Sequence, residues 1–341
     1  MKAAILLILF ITGVSGAQTS AEYEAWQTAK YLGINVKPFP QLAGYDDIPP
    51  GASEFRFRLQ KRPLTGPTPP PSYETRNLVK AKASDGTVYE AYAGTYDEKK
   101  VWPGPGRDSS NMNTRQQYAP HLGYGYIGPD VFIGTRDRGR IRTSLFFRDF
   151  GSHATAPHFI SVDSRGHVHL IVSDVNISDD NELNVYSLIG DPKSRKWTDA
   201  VMLDRRGFTS WSHPWAGAWR DKVFSLWNWG DATYDKNNAN MGLFFVEWGP
   251  SEYGRKVRAV PGFIETYDAA IDPVTGLLVI VASRDDGVFV VSRSSAGQWT
   301  KPAKLDPTLN ERTDVSITPA PNSTFIIRTD RNRSEVLLRP M

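Results

Sequence analysis

The sequence predicts an all-β protein built from repeated four-stranded antiparallel units. Residues 156 to 204 contain four short runs of β-branched or alternating residues, each bounded by Asp, Gly, Ser or Pro, as in a meander of half-buried strands. Trp197, Trp248 and Trp299 follow one another at intervals of 51 residues and are expected on outer strands. At the end of the expected second strand, an apolar run also closes on aspartate six times, at Asp97, Asp137, Asp174, Asp231, Asp285 and Asp330.

Repeats of this length with four strands each are typical of propeller blades. A third repeated feature supports this interpretation: a polar residue occurs near the start of each of the six expected first strands. These residues are Glu74, His121, His158, His213, Asp268 and Asp314. We therefore predict a six-bladed β-propeller, with five or seven blades as the alternatives.

Composition excludes several classes of protein. The chain has 341 residues with 40 Lys and Arg against 37 Asp and Glu, so its net charge of +3 does not favour nucleic acid as a partner. It has no cysteine, so no disulfide can hold the fold. The hydrophobic fraction of 40% is ample for a large core, and we expect a monomer.

The N-terminus predicts export. Residues 1–17 show a Lys after the first Met, a short apolar run and a small-residue cleavage site, which is the pattern of a signal peptide cleaved near Ala17. The apolar run is too short to span a membrane. We therefore expect a secreted protein, either extracellular or periplasmic.

Residues 18–53 are predicted to form a short N-terminal helix, over residues 21–32, and an extended connector. The propeller is then expected to occupy residues 54–341. Phe55, Phe57 and Leu59 alternate with Arg56 and Arg58, which predicts a strand with one wet face. Since the last unit supplies only three strands, we expect this strand to be its fourth and to close the ring.

The start of a first strand and the end of a second strand lie at the same end of an antiparallel blade. The six polar marks should therefore meet at one mouth of the propeller. Histidine can act there as base or acid, and arginine can grip a carboxylate or sulfate. The candidate catalytic residues are His121, His158, His213 and Asp268, and the candidate substrate-binding residues are Glu74, Arg136, Trp215, Trp229, Arg284 and Asp314.

Structural roles are the alternative for these residues. Aspartate after an apolar strand commonly caps the following turn, and polar residues that open inner strands can be hydrogen-bonded packing. Tryptophans that alternate within a strand place one face in the core. No cofactor is required by this reading, although three imidazoles and carboxylates converging on a channel could also hold a metal.

The segment from Ser292 to Thr300 resembles the Asp-box of bacterial neuraminidases, whose pattern is Ser-x-Asp-x-Gly-x-x-Trp. Ser294 stands where that pattern has Asp, and Ala296 where it has Gly. The resemblance implies a sialidase-like propeller with these repeats, and it does not transfer sialidase residues or activity. The predicted mouth is also similar to that of propeller polysaccharide lyases with His, Tyr and Arg in the cleft.

The predicted function is the binding or processing of a glycan at this polar mouth, with an acidic polysaccharide as the expected ligand. If the protein is an enzyme, it would be a polysaccharide lyase or a glycoside hydrolase. The competing class is a non-catalytic binding or scaffold module, because propellers host many unrelated functions.

Overall fold

The computed structural model describes residues 37–38, 44–63, 78–94, 130–137, 140–147, 156–176, 182–205, 214–229, 240–249, 252–306, 313–329 and 334–341. These residues form 24 strands. The predicted signal peptide, the predicted helix at residues 21–32, Glu74, His121 and His213 lie outside the described residues, so the predictions about them stay predictions.

Four N-terminal strands, which we call the belt, precede the main sheets. The belt was predicted as a connector followed by one strand, but the connector itself contributes three short strands. They are β1 (Lys37–Pro38), β2 (Asp46–Asp47), β3 (Ser53–Glu54) and β4 (Phe57–Pro63).

The first two main sheets are antiparallel meanders of four consecutive strands. Sheet 1 contains β5 (Leu78–Lys82), β6 (Val88–Gly94), β7 (Asp130–Asp137) and β8 (Arg140–Phe147). Sheet 2 contains β9 (Ala156–Val162), β10 (Val168–Asn176), β11 (Glu182–Asp191) and β12 (Lys196–Arg205).

Three further sheets follow the same order. Sheet 3 contains β13 (Trp215–Trp219), β14 (Lys222–Trp229), β15 (Gly242–Trp248) and β16 (Val257–Pro261). Sheet 4 contains β17 (Thr266–Ile271), β18 (Leu278–Arg284), β19 (Gly287–Arg293) and β21 (Ala303–Lys304), while β20 (Thr300–Lys301) pairs with β3. Sheet 5 contains β22 (Val315–Ala320), β23 (Thr324–Thr329), β24 (Ser334–Pro340) and, as its fourth strand, β4.

The first strands of the sheets lie side by side, in the way that innermost strands line a propeller. Contacts join β5 to β9, β9 to β13, β13 to β17 and β17 to β22. The all-β prediction is confirmed within the described residues. The blade count and the closure of the ring stay predictions.

One unit differs from the prediction. The run that ends at Asp137 was expected to be a second strand, but β7 pairs with both β6 and β8 and is the third strand of sheet 1. The described residues therefore form five four-stranded sheets, whereas the six repeated polar residues in the sequence suggested six such units. The equal spacing of 51 residues between the tryptophans does not mark equivalent positions, because Trp197 lies on the fourth strand of its sheet whereas Trp248 ends a third strand.

Each sheet packs on the next through a hydrophobic cluster. Strands buried on both faces alternate between two clusters: Leu170 faces sheet 1, whereas Ile171, the next residue of β10, faces sheet 3. In the same way, Ile280 of β18 faces sheet 3 and Val281 faces sheet 5. Four such clusters lie between sheets 1 and 2, 2 and 3, 3 and 4, and 4 and 5.

The belt pairs in succession with the outer strands of sheets 2 and 3, with the short strand β20 beside sheet 4, and with β24 of sheet 5. Its strands β1, β2 and β3 pair in parallel with β12, β16 and β20, and β4 pairs antiparallel with β24 along its whole length. The predicted pairing of the N-terminal strand with the last unit is thus confirmed, with Leu59 opposite Leu338. Phe55 is buried in the cluster between sheets 4 and 5, so side chains as well as backbone hold the belt.

The Asp-box-like segment forms the turn between β19 and β20. The Ser294 N–H donates to the Gln298 carbonyl at 2.9 Å, and the Gly297 N–H donates to the Ser294 carbonyl at 2.9 Å. Gly297 has a φ of 87°, which favours glycine. The Ser294 hydroxyl accepts from the Gln298 N–H at 3.1 Å. A serine side chain thus accepts a main-chain hydrogen bond within the turn at the position where the pattern has an aspartate.

The belt yields a stability prediction. Phe55→Ala should lower the free energy of unfolding by about 3 to 5 kcal/mol, because it removes a buried ring that sits between two sheets. The neighbouring exposed residue supplies the control, and Arg56→Ala should change stability by less than about 0.5 kcal/mol. Urea denaturation of both variants measures the difference. Equal stabilities would show that the belt does not support the fold.

Candidate functional site

The sheets have two distinct ends. The turns between first and second strands meet at one of them, which we call the turn end: the N–H and the hydroxyl of Ser164 donate to Asp221 of the next sheet at 2.9 and 2.6 Å. The first strands therefore begin at the opposite end, which we call the open end. His158 on β9 and the exposed Asp314 just before β22 lie there.

Arg284 ends β18 at the open end and is held in place by several contacts. Its Nε and Nη2 donate to the two oxygens of Asp286 at 2.8 and 2.9 Å, and its Nη1 donates to the Pro261 carbonyl at 2.9 Å. Its Cζ lies 4.5 Å from the ring centre of Phe289. A guanidinium has five N–H donors. Described residues accept from three of them, and within the described part of the chain the other two have no acceptor on a side chain that is 26% exposed.

Asp268 lies between two innermost strands. Its Oδ1 accepts from the Ala269 N–H at 2.8 Å, and its Oδ2 accepts from the Ile317 N–H of β22 at 2.9 Å. The residue is only 1% exposed. These contacts connect sheet 4 to sheet 5 and give Asp268 a structural role, so they do not support the predicted catalytic one.

The neighbours of Asp268 serve this junction and the one between sheets 3 and 4. Tyr267 is fully buried and donates its hydroxyl proton to the Leu226 carbonyl at 3.2 Å. The Thr266 hydroxyl donates to the Thr313 carbonyl at 3.0 Å, and the Thr313 N–H donates to the Ser283 hydroxyl at 3.1 Å. The polar residues that open β17 thus bind main-chain groups of the adjacent sheets.

Trp215 is a core residue rather than a stacking platform. Its ring is buried in the cluster between sheets 3 and 4 and lies over Gly217, where an added Cβ would be 2.7 Å from Trp215 Cη2 and 2.8 Å from Ile271 Cδ1. The predicted sugar-stacking role is therefore not supported for this ring. Trp229 ends β14 at the open end, and its side chain lies outside the described residues.

Arg136 lies away from the other candidates, at the turn end. It was expected on a second strand, but β7 is a third strand and runs in the opposite direction, so its last residues lie beside the start of β6. Arg136 donates to Glu90 at 2.7 Å, and Lys80 bonds the same carboxylate at 2.9 Å. Hydrogen bonding from Arg136 lowers the pKa of Glu90 against the opposing effect of burial. The mouth role predicted for Arg136 is wrong on this topology.

A polar cluster at the turn end was not predicted. The carboxylate of Asp163 accepts the N–H groups of Arg165 and His167, both at 2.9 Å, and bonds His169 Nε2 at 3.1 Å. His169 is 1% exposed, and burial lowers its pKa although Asp163 opposes that effect. The signal in the sequence was the spacing of the two histidines four and six residues after an aspartate that opens a glycine turn.

Among the described residues, no group of three or more His, Asp or Glu side chains is arranged to hold a metal ion. Two of the three predicted mouth histidines lie outside that part of the chain, so a metal in the channel stays a prediction. No helix within the described ranges is long and apolar enough to cross a membrane.

Comparison with known proteins finds remote structural similarity only. No protein-family model matches the chain, and no curated protein matches it. An ulvan lyase of a polysaccharide lyase family is 11% identical with a TM-score of 0.39, and the match covers 74% of this chain and 66% of that one. The α-L-arabinofuranosidase of Fusarium graminearum, solved with arabinobiose, is 12% identical with a TM-score of 0.39 over 76% of each chain. The Dos1 propeller is 8% identical with a TM-score of 0.42, over 82% of this chain and 69% of that one. Similarity at this level carries no information on activity.

Asp268 allows a direct test of its structural role. Asp268→Asn should lower the free energy of unfolding by about 1 to 3 kcal/mol, because an amide cannot accept both backbone N–H groups and one is left unsatisfied. Asp314→Asn is the matched control, since Asp314 is exposed at the same junction and should change stability by less than about 0.5 kcal/mol. Chemical denaturation measures both. A stable Asp268→Asn protein would refute the structural role.

His169 predicts a pH dependence of stability. Because the folded pKa lies below the ordinary value of 6.5, the unfolded chain takes up a proton that the folded protein resists, so stability should fall as the pH falls below about 6.5. His169→Gln should show a flatter dependence between pH 7 and pH 5. Denaturant midpoints across this range test the sign. An unchanged slope in the variant would contradict the prediction.

Proposed function

We propose that the protein is an exported β-propeller that binds or processes an acidic polysaccharide at the open end. The observation that carries this proposal is Arg284, whose guanidinium is fixed by Asp286, Pro261 and Phe289 and has two N–H groups with no acceptor among the described residues. Because the Arg284 side chain is already ordered, binding an anionic group costs little further side-chain entropy. Carboxylate and sulfate are the groups that a guanidinium grips best.

His158 supplies the acid-base chemistry of the proposal. It is the third residue of β9 and half-buried at the open end, and imidazole can accept or donate a proton near neutral pH. In a lyase reaction on a uronate, Arg284 would neutralise the carboxylate and the histidine would accept the proton next to it. The bond to the leaving sugar oxygen then breaks and leaves an unsaturated end.

A non-catalytic glycan-binding module is the second candidate. It is favoured by the contacts of Asp268 and Trp215, which hold both side chains in the fold and leave fewer described groups for chemistry. Under this alternative the open end retains the same ligand class but turns nothing over.

Incubation of the purified protein with polyuronates and sulfated glycans tests the proposal. Ultraviolet absorbance reports the unsaturated ends made by a lyase, reducing-sugar release without that absorbance reports a hydrolase, and affinity electrophoresis reports binding alone. We expect turnover or binding of at least one acidic polysaccharide and neither with neutral dextran. A protein that neither binds nor cleaves any of them would refute the proposal.

Two variants locate the site. His158→Gln and Arg284→Lys should each reduce turnover or binding at least tenfold while the melting temperature stays within a few degrees. Glutamine cannot take up the proton that His158 accepts, and lysine does not reproduce the forked hydrogen bonds of Arg284. Arg258→Lys is the matched control: Arg258 also bonds an aspartate, Asp47, through two nitrogens and lies over an aromatic ring, but on an outer strand. Equal losses in Arg284→Lys and Arg258→Lys would place the ligand elsewhere.

A further inference from the structure

The outer edge of sheet 5 carries arginines on one face only. Along the belt, Phe55, Phe57 and Leu59 pack in the cluster between sheets 4 and 5. The alternate residues Arg56 and Arg58 are therefore directed to the opposite face, and both are exposed. This half of the pattern agrees with the wet face that the sequence predicts.

Pairing with β24 adds a third arginine to this face. Arg58 lies directly opposite Arg339, which is also exposed, and the backbone N–H of Met341 donates to the Arg56 carbonyl at 3.0 Å. Directly opposed residues share a face, with side chains about 5 Å apart at Cβ, and like charges in that position repel. We call Arg56, Arg58 and Arg339 the arginine surface.

No acidic residue in the described part of the chain forms an ion pair with these three arginines. Other arginines near the outer edges do have such partners: Arg255 pairs with Asp46 at 3.1 Å, and Arg258 pairs with Asp47. Farther along the same face, Glu335 pairs with Arg328 at 3.1 Å. Within the described residues, the arginine surface is thus a concentration of positive charge without an ion-pair partner, since the exposed Glu54, two residues before Arg56, forms no ion pair with it.

We propose that the arginine surface binds a polysaccharide with repeated sulfate or carboxylate groups. A chain of anions relieves the repulsion between Arg58 and Arg339, and each guanidinium can hold one anionic group through two hydrogen bonds. The strand spaces Arg56 and Arg58 by about 7 Å, so successive anions along an extended chain can be met in turn.

The composition of the face favours a polysaccharide over other polyanions. Its other described side chains next to the arginines are Gln60 and Leu337, and neither is an aromatic ring on which a nucleic-acid base could stack. Met341 is the one large exposed hydrophobic side chain beside the described arginines, which is too little apolar surface for insertion into a lipid bilayer.

The arginine surface is separate from the open end. The start of β24 pairs with the end of β23, which lies at the open end, and Arg339 is near the other terminus of β24. The inference therefore does not depend on the function proposed for Arg284. A protein acting on one stretch of a polysaccharide could hold a distant stretch here.

The test uses charge reversal and an equal charge change elsewhere. Binding of heparin and of polygalacturonate is measured for the full-length protein, for Arg58→Glu with Arg339→Glu, and for the control Lys82→Glu with Lys196→Glu, whose lysines are exposed on other sheets. We expect the arginine variant to lose at least tenfold in affinity for one of the polysaccharides at low salt and the control to lose less than threefold. Duplex DNA and phosphatidylglycerol vesicles are measured in parallel.

The melting temperature of the arginine variant should not fall, because the reversal removes no buried contact; if that protein does not fold, Arg58→Gln with Arg339→Gln replaces it. Equal losses in both double variants, no binding of either polysaccharide, or tighter binding of DNA or vesicles that depends on the arginines would each overturn the inference. Repeating the reversal of Arg58 and Arg339 in the Arg284→Lys background separates the inference from the open-end proposal, because the binding that remains there should still fall at least tenfold.

Discussion

The packing of each sheet on the next is the interaction on which the rest of the structure depends. A four-stranded meander has two faces, and in sheets 2, 3 and 4 both faces are apolar and covered by neighbouring sheets. This is why Leu170 and Ile171 can both be fully buried although they point in opposite directions. The positions of the innermost strands, and hence of every candidate residue at the open end, follow from this stacking.

The belt solves a different problem, which is the exposed edge of each outer strand. Unpaired edges invite association with other chains. β1 and β2 cover short lengths of the outer strands of sheets 2 and 3, β3 pairs with β20 beside sheet 4, and β4 completes sheet 5 on β24. Side chains reinforce the backbone pairing, since Tyr45 packs edge-on against Phe244 with ring centres 5.1 Å apart. Short strands suffice because each one is anchored again at the next sheet.

The sequence predicted the features that depend on alternation along one strand. Phe55, Phe57 and Leu59 were correctly assigned to a buried face because a strand repeats every two residues whatever its partners are. The role of Asp137 was missed for the same reason: a third strand alternates like a second one, and only the pairing with β6 and β8 tells them apart. As a result, the sequence prediction divided the chain between β6 and β7, which is 35 residues long, between two blades, and this produced a sixth repeat.

Side-chain roles at the open end were harder to predict. Asp268 and Trp215 stand where a ligand-binding residue could stand, but the carboxylate meets the Ile317 N–H of another sheet and the indole covers Gly217. The first contact joins residues that are distant in sequence, and the second depends on the curvature of the sheet. Neither can therefore be predicted from the periodicity of the sequence. The position of Arg284 at the open end depends only on the end of its own strand, so it could be expected from the sequence, and its role in binding a ligand stays a prediction.

The order of the belt also constrains how the protein is made. The belt strands leave the ribosome before any of their partners, and β4 cannot pair until β24 has been made. Contacts between parts of a chain that lie so far apart in sequence form slowly, so the belt is expected to dock after the sheets that it covers. Until then those outer edges stay open, which makes the unfinished protein the state most exposed to association with other chains.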